Sequence, residues 1–180
     1  NPENQCTGME YLNLLNDPEL VEQCQETGKE CSVLKLRLKK IRHKYYDFYE
    51  YETWAKTTES YITKVGKKIS PEESLNYKIK MIRKKFSDSV IIIDEAHHLN
   101  SAEGSDNSRK IIRILTDVLM YSNNLRLILL TATPMFDKAS HIVSLINFLL
   151  INDKRAPIRQ KLFDEYENLL PGATNIIKDK

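Results

Sequence analysis

The chain has 180 residues, of which 41% are hydrophobic, so it can bury a core and is too apolar to be a disordered protein. Its 27 Lys and Arg residues nearly balance 25 Asp and Glu residues, and the net charge of +2 indicates no particular partner. The sequence contains neither an apolar run of 18 residues nor a signal peptide. We therefore expect a soluble protein that is not secreted and that does not bind a membrane.

Charged and sulfur-containing residues narrow the choice of function only a little. Two basic clusters, Lys35–Lys44 and Lys78–Lys85, could follow a polyanion, although solvated helix faces explain such runs more often. The three cysteines, Cys6, Cys24 and Cys31, are an odd number without metal-ligand spacing. They indicate free or buried thiols in a reducing compartment.

The first segment, residues 1–44, is predicted to be mainly helical. Asp17 and Pro18 suit the cap and the first residue of a helix that Gly28 would end. Val33–Lys44 has leucines that alternate as in a strand, but the stripe that continues to Tyr45 fits a helix, which we favour.

The central segment, residues 45–155, is predicted to alternate helices with apolar strands. Its expected elements are a strand at Tyr45–Tyr51, a helix at Glu52–Val65, a helix after the capping box Ser70–Glu73, a strand at Ser89–Ile93, a loop at Ser101–Ser108, a helix around Ile111–Leu119, a strand at Leu125–Leu130 and a helix that Asp137 caps and that runs to Leu150. This order predicts right-handed crossovers and a parallel sheet. The last segment, residues 156–180, is predicted to hold a helix at Ile158–Leu170 and a tail.

Two adjacent carboxylates end the first of these strands. Val90–His97 reads V-I-I-I-D-E-A-H, so Asp94 and Glu95 follow a β-branched run that is typical of a buried strand. An Asp at such a strand end can hold Mg²⁺ through water, and the neighbouring Glu can orient or deprotonate an attacking water. A solvated turn after a strand is the structural alternative.

Three further side chains could connect this acidic pair to other elements. The His97 imidazole can donate and accept hydrogen bonds, although a purely structural histidine is the alternative. Thr131-Ala132-Thr133 ends the second strand, where its hydroxyls could contact the histidine or the carboxylates; a turn that caps the strand before Pro134 is the alternative. We expect both groups to lie at one edge of the sheet.

These motifs resemble those of superfamily 2 helicases. Asp94-Glu95-Ala96-His97 is similar to their motif II, the DEAH form of the Walker B sequence, and Thr131-Ala132-Thr133 is similar to their motif III. Leu127–Arg155 resembles helicases of the nucleocytoplasmic large DNA viruses, the poxvirus-type transcription helicases and their giant-virus relatives. Tyr51-Glu52-Thr53-Trp54 is similar to the stretch ahead of motif II in that group.

The resemblance implies an α/β protein with a RecA-like, P-loop NTPase-type, partly parallel sheet flanked by helices, as an incomplete first lobe. It implies Mg²⁺ and ATP as cofactors, DNA or RNA as partner together with further parts of the helicase or transcription machinery, and a location in the host cytoplasm, viral factory or virion. By position, Asp94 would serve the metal and Glu95 the water. His97, Thr131, Ala132 and Thr133 would couple hydrolysis to nucleic acid, while the role of His98 stays open.

The sequence departs from the family pattern in two important ways, the first at the phosphate loop and the second in lacking a second RecA lobe with its arginine-finger motif. The phosphate loop G-x-x-x-x-G-K-[ST] is missing, since Gly66-Lys67 has no glycine five positions earlier. We therefore expect the isolated chain to hydrolyse ATP negligibly. One alternative is a non-catalytic module that binds nucleic acid or protein on a RecA-like scaffold. A second is a remodeller-type translocase that moves on duplex without separating the strands.

Overall fold

A computed structural model describes residues 13–14, 16–19, 22, 32–63, 70–99, 105–135 and 137–179. The chain forms two compact units, Asn1–Tyr49 and Glu50–Lys180. The division into three segments at residues 44 and 155 stays a prediction. The three cysteines, Gly28 and the Gly66-Lys67 pair lie outside the described residues.

In the first unit, helix α1 covers Ser32–Tyr45, which confirms the helical interpretation of this basic stretch. Near the start of the chain, Pro18 and Glu19 are helical, and the Asp17 carboxylate accepts the Glu19 N–H at 3.1 Å, as expected of a cap.

The strand predicted at Tyr45–Tyr51 is wrong. Residues 46–50 have no regular structure, and Tyr51 already begins the next helix. The aromatic side chains pack locally instead, with the Tyr46 and Phe48 rings 6.1 Å apart and the Arg42 guanidinium 5.1 Å from the Phe48 ring. A high strand propensity has no effect where no neighbouring strand supplies a ladder.

The second unit alternates helices with two short strands. Its elements are α2 at Tyr51–Ile62, α3 at Pro71–Phe86, β1 at Val90–Ile93, a 3₁₀ turn at Ala96–Leu99, α4 at Asp106–Tyr121, β2 at Arg126–Leu129, α5 at His141–Asn152 and α6 at Ala173–Lys178. The capping box of α3 is confirmed, because the Ser70 and Glu73 side chains each accept the other's backbone N–H. None of the helices in the described ranges is long and apolar enough to cross a bilayer.

Strands β1 and β2 are parallel, with Val90 opposite Arg126 and Ile93 opposite Leu129. The parallel pairing predicted from the order of elements is confirmed, and α4 supplies the crossover. The expectation that the first strand is buried is wrong for one of its two faces. Ile93 is buried but Ile92 is 56% exposed, because the helices of the described part cover one face of this sheet.

Helix α4 lies at the centre of the core. Its fully buried side chains pack against α2, α3 and α5 in one cluster, to which β1 also contributes. Burying apolar side chains of this size stabilises the fold by about 1.5–3 kcal/mol each. The core positions of α4 are Ile111, Ile114, Leu115, Val118 and Leu119.

Two predicted boundaries in the second unit are wrong. Helix α4 already begins at Asp106, because the Ser105 hydroxyl accepts the Ser108 N–H at 3.4 Å, so the predicted loop ends earlier than Ser108. Helix α5 begins at His141, and Asp137 is not its cap. The residue before this helix, Ser140, is held by the Glu167 carboxylate, which accepts the Ser140 N–H at 2.7 Å.

The helix predicted at Ile158–Leu170 is also wrong. The Asp164 carboxylate accepts the N–H groups of Tyr166 at 2.9 Å and Asn168 at 2.8 Å, which competes with helical hydrogen bonding. Phe163 then pairs with Leu169 in an antiparallel bridge. This turn packs on α5 through a second apolar cluster, formed by Leu150, Ile158, Leu162 and Ala173.

Candidate functional site

The predicted site residues follow the two strands at the same edge of the sheet. Because β1 and β2 are parallel and in register, Asp94 and Leu130 each come one residue after the paired ends. Two backbone hydrogen bonds continue the pairing beyond the strands, from Leu130 N to Ile93 O at 2.8 Å and from Ala96 N to Leu130 O at 2.9 Å. The acidic pair and the Thr131–Thr133 triplet are therefore neighbours.

Asp94 and Glu95 form a tight turn with both carboxylates exposed. The Glu95 N–H donates to Asp94 Oδ1 at 3.0 Å, and Glu95 has a left-handed backbone with φ of 50°. This conformation is uncommon for a residue other than glycine and is held here by the surrounding contacts. We call Asp94–Glu95 the acidic turn.

His97 joins the acidic turn to the second strand. Its Nδ1 lies 3.0 Å from Thr131 Oγ1 and 3.2 Å from Glu95 Oε2. The His97 side chain is 11% exposed, whereas that of Glu95 is 55% exposed, so the imidazole is enclosed and the carboxylate remains open to a substrate. The single Nδ1 atom can donate to the carboxylate when it is protonated, or accept the Thr131 hydroxyl proton when it is not.

The Thr131–Thr133 triplet contributes one side chain and one backbone group to the hydrogen bonds around His97. Thr131 Oγ1 accepts the Thr133 N–H at 3.2 Å, which leaves the Thr131 hydroxyl proton able to point to His97. Ala132 and Thr133 are exposed. His98 is also exposed, and its ring centroid lies 4.2 Å from that of His97.

Tyr51 is a site residue that the sequence interpretation missed. Its hydroxyl donates to Asp94 O at 2.6 Å and lies 3.3 Å from Glu95 O. Burial, and then the charges of Asp94 and Glu95, raise the pKa of Tyr51 to about 12. The resemblance of Tyr51-Glu52-Thr53-Trp54 to the stretch ahead of motif II was the available signal, but the wrong strand prediction concealed the position of this side chain.

The donor atoms of the acidic turn suit Mg²⁺ better than a transition metal. Mg²⁺ usually binds one or two carboxylates, keeps several waters and takes its remaining ligands from substrate phosphates. Asp94 offers one exposed carboxylate of this kind. Within the described residues there is no group of three or more His, Cys, Asp or Glu side chains that could hold a metal ion. A metal at Asp94 would therefore need ligands from water and nucleotide.

Curated proteins similar to this chain are large viral proteins with helicase names. The chain is 26% identical over 161 residues to "Putative ATP-dependent RNA helicase L377" of Acanthamoeba polyphaga mimivirus, covering 80% of the chain and 13% of that protein. It is 30% identical over 136 residues to "Putative helicase 009L" of Frog virus 3 (isolate Goorha), covering 74% of the chain and 12% of that protein.

A third relative, "Putative ATP-dependent RNA helicase R563" of the same mimivirus, is 31% identical over 132 residues, which cover 73% of the chain and 21% of that protein. The chain thus spans between 12% and 21% of the length of these relatives. No solved structure gives a significant match.

A family model matches most of the chain and includes every predicted site residue. The match covers residues 5–136, which contain the acidic turn, His97 and the Thr131–Thr133 triplet. The chain belongs to the family described as "Type III restriction enzyme, res subunit".

Proposed function

We propose that this chain is part of the ATP-binding, RecA-like lobe of a viral superfamily 2 helicase or translocase of the DEAH type, which acts on nucleic acid in transcription or genome handling in the host cytoplasm, viral factory or virion. The observation that carries the proposal is the contact of His97 Nδ1 with both Glu95 Oε2, at 3.2 Å, and Thr131 Oγ1, at 3.0 Å. The viral helicase names of the similar proteins support the same conclusion.

In this proposal the two carboxylates of the acidic turn have different tasks. Asp94 would hold Mg²⁺, and the metal when bound would neutralise charge on the triphosphate. Glu95 orients the attacking water and accepts its proton, for which its open position is suited. The hydrogen bond from Glu95 N to Asp94 Oδ1 keeps the two side chains in a fixed relation.

His97 and Thr131 transmit the state of the nucleotide to the second strand. When Glu95 takes part in hydrolysis, its interaction with His97 Nδ1 weakens. The imidazole can then replace its contact with Glu95 by a stronger contact with Thr131. The residues after Thr131 are exposed and could reach nucleic acid. Ala132 and Thr133 would shift with Thr131, because the Thr133 N–H donates to Thr131 Oγ1.

A second candidate is a module that binds nucleic acid without hydrolysing ATP. The observation in its favour is the basic surface of α1, where Lys35, Arg37, Lys39, Lys40 and Arg42 are all exposed. Exposed cations along a helix bind phosphates with strong salt dependence. Affinity for RNA or DNA that falls with salt but does not respond to nucleotide would favour this candidate over a motor.

The experiment that tests the proposal uses the full natural polypeptide containing these 180 residues. Mg²⁺-dependent ATP turnover is measured alone and with single-stranded and double-stranded RNA and DNA. We expect at least one nucleic acid to raise the turnover, and a strand-displacement assay with the same substrate separates unwinding from duplex translocation. Absence of Mg²⁺-dependent turnover with all four nucleic acids would contradict the proposal.

A further inference from the structure

The Tyr51 hydroxyl contacts the acidic turn, although Tyr51 lies in a distant part of the sequence. It reaches Asp94 O, 43 residues away, from the first residue of α2. Contacts from nearer residues also hold this region. Glu95 N donates to Asp94 Oδ1, His98 N donates to Glu95 O, and His97 Nδ1 lies 3.2 Å from Glu95 Oε2, while the following Ala96 N donates to Leu130 O after β2.

The acidic turn needs such external contacts because of its backbone conformation. Glu95 has φ of 50°, a region that non-glycine residues occupy only where the surroundings hold them there. The direction of the Glu95 carboxylate depends on this backbone. A contact that holds the two carbonyl oxygens therefore also sets the direction of the carboxylate.

The Tyr51 ring and hydroxyl have separable roles. The ring packs against the main hydrophobic cluster together with Trp54, whereas the hydroxyl alone reaches the carbonyl oxygens. Removing only the oxygen should leave the packing of α2 in place.

We propose that Tyr51 is a positioning residue for the acidic turn: its hydroxyl fixes the Asp94 and Glu95 carbonyl groups and thereby aims the Glu95 carboxylate at the attacking water. The expected effect of Tyr51 on ATP turnover rests on the proposed ATPase function. The role of Tyr51 in holding the acidic turn rests only on its hydrogen bonds to the backbone. Tyr51 acts through the turn and does not itself meet the reacting atoms. Its loss should therefore lower kcat while leaving the KM for ATP nearly unchanged.

The test compares Tyr51→Phe with Tyr61→Phe in the full natural polypeptide. Tyr61 is a suitable control because it lies ten residues further along α2, about 15 Å from Tyr51, with its ring under the Lys85 ammonium. ATP turnover gives kcat and KM. Hydrogen exchange of the peptide that contains Ala96 and His98 reports on the turn without requiring any activity.

For Tyr51→Phe we expect kcat to fall about fivefold and the KM for ATP to stay within about twofold of the wild-type value. Hydrogen exchange at Ala96 and His98 should become about fivefold faster. Changes of this size correspond to the loss of one ordinary hydrogen bond. Tyr61→Phe should match the wild type in all three quantities. Unchanged exchange in Tyr51→Phe would overturn the inference, and so would faster exchange with an unchanged kcat. Equal losses in both variants would show a merely structural effect and would also overturn it.

Failure of the proposed function would give a different pattern. The wild type would then hydrolyse no ATP, and the exchange measurement alone would decide the role of Tyr51 in holding the turn. Faster exchange confined to Tyr51→Phe would support that structural part, and unchanged exchange would overturn it.

Discussion

His97 Nδ1 lies 3.0 Å from Thr131 Oγ1, although the two residues are 34 positions apart and follow different strands. This contact closes a connection that begins at Glu95 Oε2 and continues through Thr131 Oγ1 to the Thr133 N–H. In the proposed coupling, a change at the carboxylate would reach the exposed end of the second strand when His97 exchanges its Glu95 contact for the Thr131 contact.

Replacing Thr131 by valine removes the hydroxyl and keeps the volume of the side chain nearly constant. We expect nucleic-acid-stimulated ATP turnover of the full natural polypeptide to fall about three- to tenfold, as for the loss of one partly buried hydrogen bond. Thr133→Val should have a smaller effect, because the Thr133 backbone N–H, which remains, makes the contact to Thr131. Steady-state kinetics with and without nucleic acid measure both variants.

The His97→Ala and Thr131→Val substitutions should be strongly non-additive. If the two side chains act through their mutual contact, the double variant loses little more activity than the worse single variant. Multiplication of the two single losses in the double variant would mean that the residues act independently and would contradict the proposed connection.

The 180-residue chain alone is expected to hydrolyse ATP negligibly. The sequence has no phosphate loop, so the backbone amides and the lysine that cradle a triphosphate are missing, and Asp94 has little to hold in place. Phosphate release measured at saturating Mg²⁺ and ATP checks this. Robust turnover that Glu95→Gln abolishes would contradict it and would require another phosphate-binding element.

Glu167→Gln should lower the thermal midpoint of the chain at neutral pH. The Ser140 N–H donates a hydrogen bond to Glu167 Oε2 at 2.7 Å. This hydrogen bond is the main reason why the pKa of Glu167 lies below its ordinary value of 4.5. A carboxyl whose pKa is lowered by folding stabilises the fold above its unfolded pKa and loses that effect as the pH falls through its folded pKa. The difference in thermal midpoint between wild type and Glu167→Gln should therefore be largest above pH 4.5 and become smaller below it.

The neighbouring exposed carboxylate supplies the control for this experiment. Glu165→Gln removes the same charge two residues away and should leave the thermal midpoint almost unchanged at every pH. A pH-independent difference for Glu167→Gln, or an equal one for Glu165→Gln, would show that the Ser140 contact is not the cause.

Ser70→Ala is expected to destabilise the chain by about 1 kcal/mol, since it removes the cap of α3. Ser70 Oγ accepts the Glu73 N–H at 3.1 Å, and the Glu73 carboxylate accepts the Ser70 N–H at 2.9 Å. Ser105→Ala, at the start of α4, should cost less because its hydrogen bond is longer, at 3.4 Å. Urea unfolding of both variants measures the difference, and the reverse order would be inconsistent with these caps.

The sequence was sufficient to predict the geometry at the edge of the sheet. The run Val90–Ile93 is β-branched and contains no glycine or proline, and Leu125–Leu130 is similarly apolar, so both strands could be predicted from composition alone. With a helix between them, only a parallel pair is expected, and its register brings Asp94 close to Thr131. The contacts of His97 follow from that arrangement.

The errors of the sequence interpretation arose where side-chain contacts overrule local propensity. Tyr46 and Phe48 pack on each other outside any sheet, and the Asp164 carboxylate captures two backbone N–H groups that a helix would need. Neither interaction has a periodic signal. The wrong strand prediction at Tyr45–Tyr51 then concealed Tyr51, whose hydrogen-bond partner is a backbone carbonyl 43 residues away.

In the proposed mechanism, Glu95 activates the water that attacks ATP. The most direct measurement is the kcat for ATP of the full natural polypeptide as wild type, Glu95→Gln and Glu165→Gln. We expect Glu95→Gln to lower kcat at least about 100-fold with ATP binding retained, as for the loss of a general base, and Glu165→Gln to match the wild type. A kcat for Glu95→Gln within twofold of the wild-type value would contradict the claim.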